Sequence, residues 1–411
     1  MRRRFRWEIS VTYLFPEKRA NRAEMSTEQQ NERECRKGLR AARRIVIKLG
    51  TSTVTELNGE LCEKRVVPIV RGIAELLAEG RQVVLVTSGA VGLGRWLLGL
   101  HSARLKDMAV KQACAAAGQG LLMAAYKKLF GEHSIKVAQV LLTEEDFSNW
   151  RRYSNLRRTM EKLIGFGVLP IVNENDTVST AELEEKGEGR KAAFSDNDRL
   201  AALAMSGLEA DALALLTNVP GLLRSKSGGA EPLGYVSQIT NEIRSLAAGP
   251  SLGGRGGMTT KIEAAEIAMN CGGTAVIADG NDPGTLQKIF AGEKQGTVFA
   301  PGARMKGKRR WIAFAAGVSG RVVVDGGAHR AITAKKASLL SGGVVRVEKQ
   351  FDAMDVVSIV DLEGREFARG IANCASTEAF AENGSSRDRA AQSKNVVMFT
   401  RDNIVLMEAA R

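Results

Sequence analysis

Between Arg43 and Ala303 the sequence alternates short apolar runs with longer stretches of helical period, and this alternation narrows the possible folds more than any other feature. "RIVIKLG", "RQVVLVTSGA", "KVAQVLL", "GVLPIVNEND", Ala212–Leu216 and "TAVIAD" read as buried strands. Val66–Leu77, the Ala-rich Met108–Leu129, Asn155–Ile164, Asn197–Met205 and Met258–Met269 space their apolar residues as helices do. Apolar runs of four to six residues separated by such helices imply βαβ units, and hence a mainly parallel sheet sandwiched by helices. Sheets of this kind bind ligands beyond the carboxyl ends of their strands. Four polar loops follow strands here ("KLGTS", "TSGAVG", "NENDTV" and "TNVPG"), so they are expected to converge on one edge.

A short basic linker, "APGARMKGKRR", marks a boundary. From Trp311 to Arg411 the strand-like runs "GRVVVD", "VVRVE", "DVVSIVD" and "NVVMF" lie between Gly- and Asp-containing turns, with one helix-like piece at Gly327–Ala334. The organisation expected is a basic, disordered extension over residues 1–42, a catalytic domain over 43–303, and a linker with a small β-rich domain over 304–411.

Composition removes several function classes. The five cysteines are scattered without a C-x-x-C pair, and the three histidines are equally dispersed, which argues against a disulfide framework or zinc site and fits a reducing compartment. No run approaches the roughly 18–20 apolar residues of a membrane helix. Glu8 interrupts the start "MRRRFRWEISVTYLF" and no small-residue cleavage site follows, so a signal peptide is not expected. The formal net charge of +13 invites nucleic-acid binding, yet Met1–Arg44 supplies about 13 Lys and Arg against about 6 Asp and Glu. About half of the excess therefore sits in a tail that reads as solvated.

Lys48 ends a strand immediately before Leu49 and Gly50, a geometry in which an ammonium and backbone N–H groups can meet phosphate, although a strand-end lysine can also simply snorkel to water. No P-loop signature G-x-x-x-x-G-K-[ST] occurs. Gly89 in "TSGA" permits close backbone approach, while Ser88 reads equally as a helix cap. "NEND" at Asn173–Asp176 is either an Asx-rich turn or a grip for an amino acid's ammonium and carboxylate. Asp196, Asn197 and Asp198 open a helix with more acidic and amide groups than a cap requires. "LGGRGGMTTK" at Leu252–Lys261 puts a lysine in a first helical turn, which the helix dipole disfavours unless an anion sits there too. Two lysines, glycine loops and an aspartate to orient the lysines make a phosphoryl-transfer constellation without a covalent nucleophile.

With these motifs in this order, and with "DLEGREFARG" and "RRWIAFAAGVSGRVVVDGGAHRAI" after the linker, the chain resembles the glutamate 5-kinases of the amino acid kinase family, including their PUA domain. The resemblance implies an amino acid kinase fold and ATP-dependent phosphorylation of the L-glutamate side-chain carboxylate, with Mg2+ carried on ATP, in the cytoplasm. It implies Lys48 and Lys261 as stabilisers of the transferring phosphoryl group and Asp198 as their organiser. Ser88, Gly89, Asp176 and Asn197 are implied for glutamate. Lys48, Gly50, Thr217, Asn218, Arg255, Gly256, Gly257, Met258, Thr259, Thr260 and Lys261 are implied for the nucleotide. No metal ligand is implied among protein side chains. Feedback inhibition by proline and a dimer or tetramer also follow from the resemblance. Asn218 stands where the family has aspartate, Arg255 where it has threonine, and Ser195 where it has glycine; none of these removes a lysine or the aspartate. PUA domains bind RNA in modification enzymes, but aromatics are only 5% of this chain, so RNA is a secondary reading.

Overall fold

Parallel strands require long crossovers, and the segments of helical period supply them. The computed structural model describes residues 26–100, 107–178, 197–224, 231–247, 257–305, 307–379 and 396–407. Its first half runs α1 (Thr27–Ala41), β1 (Arg44–Leu49), α2 (Thr51–Val54), α3 (Glu63–Ala78), β2 (Gln82–Val86), α4 (Ala90–Leu97) and α5 (Met108–Gly131). Next come β3 (Lys136–Leu142), α6 (Glu144–Ser148), α7 (Trp150–Gly165), β4 (Val168–Glu174), α8 (Asn197–Leu208) and β5 (Ala212–Thr217). The large sheet is completed by β6 (Tyr235–Val236), α9 (Asn241–Ala247), α10 (Met258–Asn270), β7 (Thr274–Asp279), α11 (Thr285–Ala291) and β8 (Thr297–Phe299).

The strand order is β3-β4-β2-β1-β5-β7-β8-β6. All neighbours pair in parallel except β7 and β8. The four loop-bearing strands β4, β2, β1 and β5 are consecutive, so the loops that follow them share one edge, as the sequence predicts. Each face of the sheet is buried. Val46, Val84 and Val86 join a core with α8 and α10, while Ile45, Ile47 and Leu49 join a second core with α3, α5 and α11. Side chains alternate along a strand, so Lys48 shares the α8–α10 face with Val46.

Helices α4 and α5 cross in backbone contact. A Cβ on Gly94 would lie 1.8 Å from the Cys114 carbonyl oxygen, and one on Gly118 would lie 1.9 Å from that of Ala90. This crossing fixes the start of α4, and with it Ser88 and Gly89, against α5.

Residues 27–41 differ from the expected disordered extension. They form α1, opened by a capping box between Ser26 and Gln29. Arg36 is buried, and all five of its N–H donors are used, on Glu32 and on the carbonyls of Gly234, Glu293, Gln295 and Gly296. A buried guanidinium gives no hydropathy signal, so the docking does not show in a polar sequence.

The second sheet follows α12 (Gly307–Arg310) and a buried π-helical turn, Trp311–Ala315. Its elements are β9 (Val318–Val324), α13 (Gly326–Lys335), β10 (Leu339–Leu340), β11 (Val344–Lys349), β12 (Val356–Val360), β13 (Glu366–Ile371), α14 (Ser376–Ala379), β14 (Val397–Phe399) and β15 (Ile404–Leu406). The order is β11-β9-β12-β13-β15, beside a β10-β14 pair. The end of the predicted linker is no exposed tether: Arg310 is buried, and the Trp311–Ala315 turn after it shares a core with Leu203, Val356, Ile371 and Val405.

Two identical substitutions on α5 are expected to have opposite signs. Gly118→Ala forces backbone apart and should lower Tm by about 5 °C or more. Gly120 faces open space, and Gly120→Ala should raise helix stability by up to about 1 kcal/mol. Thermal denaturation of the two variants beside the parent checks this.

Candidate active site

The site is built on the carboxylate of Asp198, which has no solvent exposure. Its Oδ1 lies 2.6 Å from Lys48 Nζ, and its Oδ2 lies 3.1 Å from Lys261 Nζ. The two lysines are themselves only 3% and 6% exposed. They arrive from segments more than two hundred residues apart, one near the end of β1 and one in the first turn of α10, while Asp198 stands in the first turn of α8. Thr260 Oγ1 adds a contact of 3.0 Å to Oδ2 and lies 2.9 Å from the Gly257 carbonyl oxygen. Two ammonium groups and one carboxylate sum to +1. Removing one partner of a buried ion pair leaves an uncompensated charge, at a cost of about 3–5 kcal/mol.

Gly50 has φ −74° and needs no special backbone freedom. What a side chain there would occupy is space, since a Cβ would sit 3.7 Å from Lys48 Nζ. Its N–H, expected to face a phosphate, is directed at the Leu216 carbonyl at a long 3.4 Å. Thr51 and Ser52 open α2 and are exposed.

Beside this triad lies an amide relay. Asn197 Nδ2 stands within donating distance of the Thr87 carbonyl (2.7 Å), Ser88 Oγ (2.8 Å) and Asn173 Oδ1 (3.0 Å). Asn173 Nδ2 in turn donates to Gln119 Oε1 at 2.9 Å. Because the main-chain oxygen of Thr87 can only accept, it orients all three amides in sequence. Thr87 Oγ1 lies 2.7 Å from the hydroxyl of Tyr126, whose own ionisation burial pushes far upward. Gly89 caps α4 at φ 107°, where a Cβ would come within 2.9 Å of Val54. Asp176 lies half-buried in the turn after β4.

On the other side of the triad, Thr217 ends β5 and is buried, and its carbonyl accepts from the Gly280 N–H at 2.7 Å. Asn218 is exposed. Gly257 caps α10 without a side chain, and Met258, Thr259 and Thr260 form its first turn. Arg255 and Gly256, like Ser195, lie outside the described residues.

The structure thus brings Lys48, Asp198 and Lys261 into direct contact and ties Ser88 to Asn197. It also draws in Asn173, from the "NEND" stretch, and recruits Gln119, Thr87 and Tyr126, to which sequence reasoning gave no role. Gln119 carried a usable signal, as an amide set between two glycines of an Ala-rich helix.

Residues 43–279 match the amino acid kinase family, and residues 320–391 match the PUA domain. A glutamate 5-kinase of Moorella thermoacetica is 46% identical over 347 residues, covering 83% of this chain and 89% of that protein. One of Myxococcus xanthus is 44% identical over 342 residues, covering 82% and 88%. One of a Thermoanaerobacter species is 42% identical over 374 residues, covering 89% and 98%. The match spans more than half of the chain and the relatives span most of it, so the chain belongs to the amino acid kinase family, among the glutamate 5-kinases.

Proposed function

We propose that this chain transfers the γ-phosphoryl group of ATP to the side-chain carboxylate of L-glutamate, giving L-glutamyl 5-phosphate and ADP, the first step of proline synthesis. The observation that carries this reading is the pair of ammonium groups held on one buried carboxylate, at 2.6 and 3.1 Å. Glutamate's carboxylate has an ordinary pKa of about 4.3 and is already ionised at neutral pH, so the reaction needs no general base. An oxygen of that carboxylate forms the new P–O bond as the bond to the β-phosphate oxygen breaks, and ADP leaves with the electron pair. Charge spreads over the phosphoryl oxygens in the transition state. Lys48 and Lys261 neutralise it from fixed positions, and Asp198 keeps both ammonium groups aimed without solvent reorganisation.

Magnesium enters with ATP as part of the substrate, bound to its phosphate oxygens. Ser88, Gly89, Asp176 and Asn197 are assigned to glutamate, with Asn173 and Gln119 supporting Asn197. Thr217, Asn218 and the stretch from Arg255 to Lys261 are assigned to the nucleotide. Proline as feedback inhibitor, a dimeric or tetrameric assembly and a cytoplasmic location complete the proposal. No described helix is long and apolar enough to cross a membrane. RNA binding by residues 320–391 is a second reading favoured only by the PUA match. Retention of bulk tRNA on filters with a steep salt dependence would support it.

An ATP-coupled hydroxamate assay offering glutamate, aspartate and carbamate side by side should yield acyl phosphate from glutamate, and less when proline is added. Acyl phosphate from another acceptor alone would overturn the substrate. Lys48→Ala and Lys261→Ala should each lower kcat by about 10²–10³-fold with a milder effect on glutamate KM. Steady-state kinetics that showed mainly a KM effect in both would remove the lysines from the transition state. Asp176→Ala should instead raise glutamate KM.

A further inference from the structure

Helix α8 is fastened at both ends to the segment that joins the two sheets. After its last turn, Glu209 takes a left-handed φ of 53°. Its carbonyl accepts from Arg304 and its carboxylate from Arg310, each at 3.1 Å. Burial works against the Glu209 carboxylate, but Arg310, Arg157 and Arg304 outweigh it and hold the pKa below the ordinary value. At the first turn, Arg199 Nη2 donates to the Phe314 carbonyl at 3.2 Å.

Phe314 belongs to the buried π-helical turn Trp311–Ala315. The last carbonyls of a helical turn have no partner within it. Here two arginines serve two of them: Arg199 from the large sheet's layer on Phe314, and Arg369 of β13 on Ala313 at 2.9 Å. Arg369 is itself braced by both oxygens of Glu366, at 2.8 and 3.1 Å. The turn is seated independently by Trp311 Nε1, which donates to the Phe147 carbonyl at 2.7 Å, and by an edge-on ring contact with Trp150.

Arg199 follows Asp198 directly, so any roll of the helix start moves both. A roll of about 10° shifts a side-chain tip by about 1 Å, and misplacement on that scale costs up to about 100-fold in rate. We propose that Arg199 is a positioning residue, anchored on the Phe314 carbonyl, that sets where Asp198 holds Lys48 and Lys261, and that Arg369 steadies the anchor from the second sheet. The proposal rests on the phosphoryl-transfer reading of the triad, not on the identity of the acceptor.

The test is a double-mutant cycle in the full chain, with rates measured on whichever acceptor the enzyme phosphorylates. Arg199→Met should lower kcat by about 10-fold or more while KM values for ATP and acceptor stay within about 2-fold, and Arg199→Lys should recover part of the rate. Arg369→Met, which touches no group of the triad, should lower kcat in the same sense. The double variant should be no slower than the slower single one. Amide hydrogen exchange in the first turns of α8 should quicken in Arg369→Met, a readout that survives if the Arg199 variant does not fold. An unchanged kcat and unchanged exchange in Arg369→Met, or losses that multiply in the double variant, would overturn the proposal. Failure to phosphorylate glutamate while another acceptor works would strike only the substrate reading.

Discussion

A carboxylate cut off from water must be paid for in cations, and the placement of Asp198 follows from that requirement. Its two oxygens are met by one lysine each, and both lysines are also nearly buried. Neither ammonium could be held there by its own segment alone. β1 must be central in the sheet, and α8 and α10 must lie side by side on one face with their N-terminal turns at the same edge. The doubly covered parallel sheet is the frame that meets all three conditions. The surplus positive charge is what an incoming phosphoryl group answers.

Much of this frame was legible in the sequence. The period of the apolar residues gave β1 to β5 and the long helices, and the rule on carboxyl edges placed four loops together. Lys48 and Lys261 were legible because each violates a local preference, one ending an otherwise apolar strand and the other standing against a helix dipole. What escaped notice shares one physical character, contact with something remote in the chain. Arg36 satisfies four carbonyls from a polar helix that hydropathy reads as tail. The antiparallel pairing of β8, and β13 and β15 in the second sheet, are set by partners outside their own short runs. Gln119 matters only through Asn173 and, beyond it, Asn197.

The junction between the sheets shows the same limit. A run of basic and small residues reads as a tether, and its basic side chains are what locks it. Arg310 and Arg304 hold the end of α8, while the apolar turn beyond them enters a core common to both sheets. The two parts of the chain are therefore separable as sequence patterns but continuous as packing.

The glycine crossing of α4 and α5 bears on how variation in this protein should be interpreted. At positions 94 and 118 no side chain larger than hydrogen fits, because the space is filled by carbonyl groups of the facing helix rather than by atoms that can swing aside. A substitution at either position therefore reaches the site through the backbone of α4, whatever the charge or polarity of the new side chain.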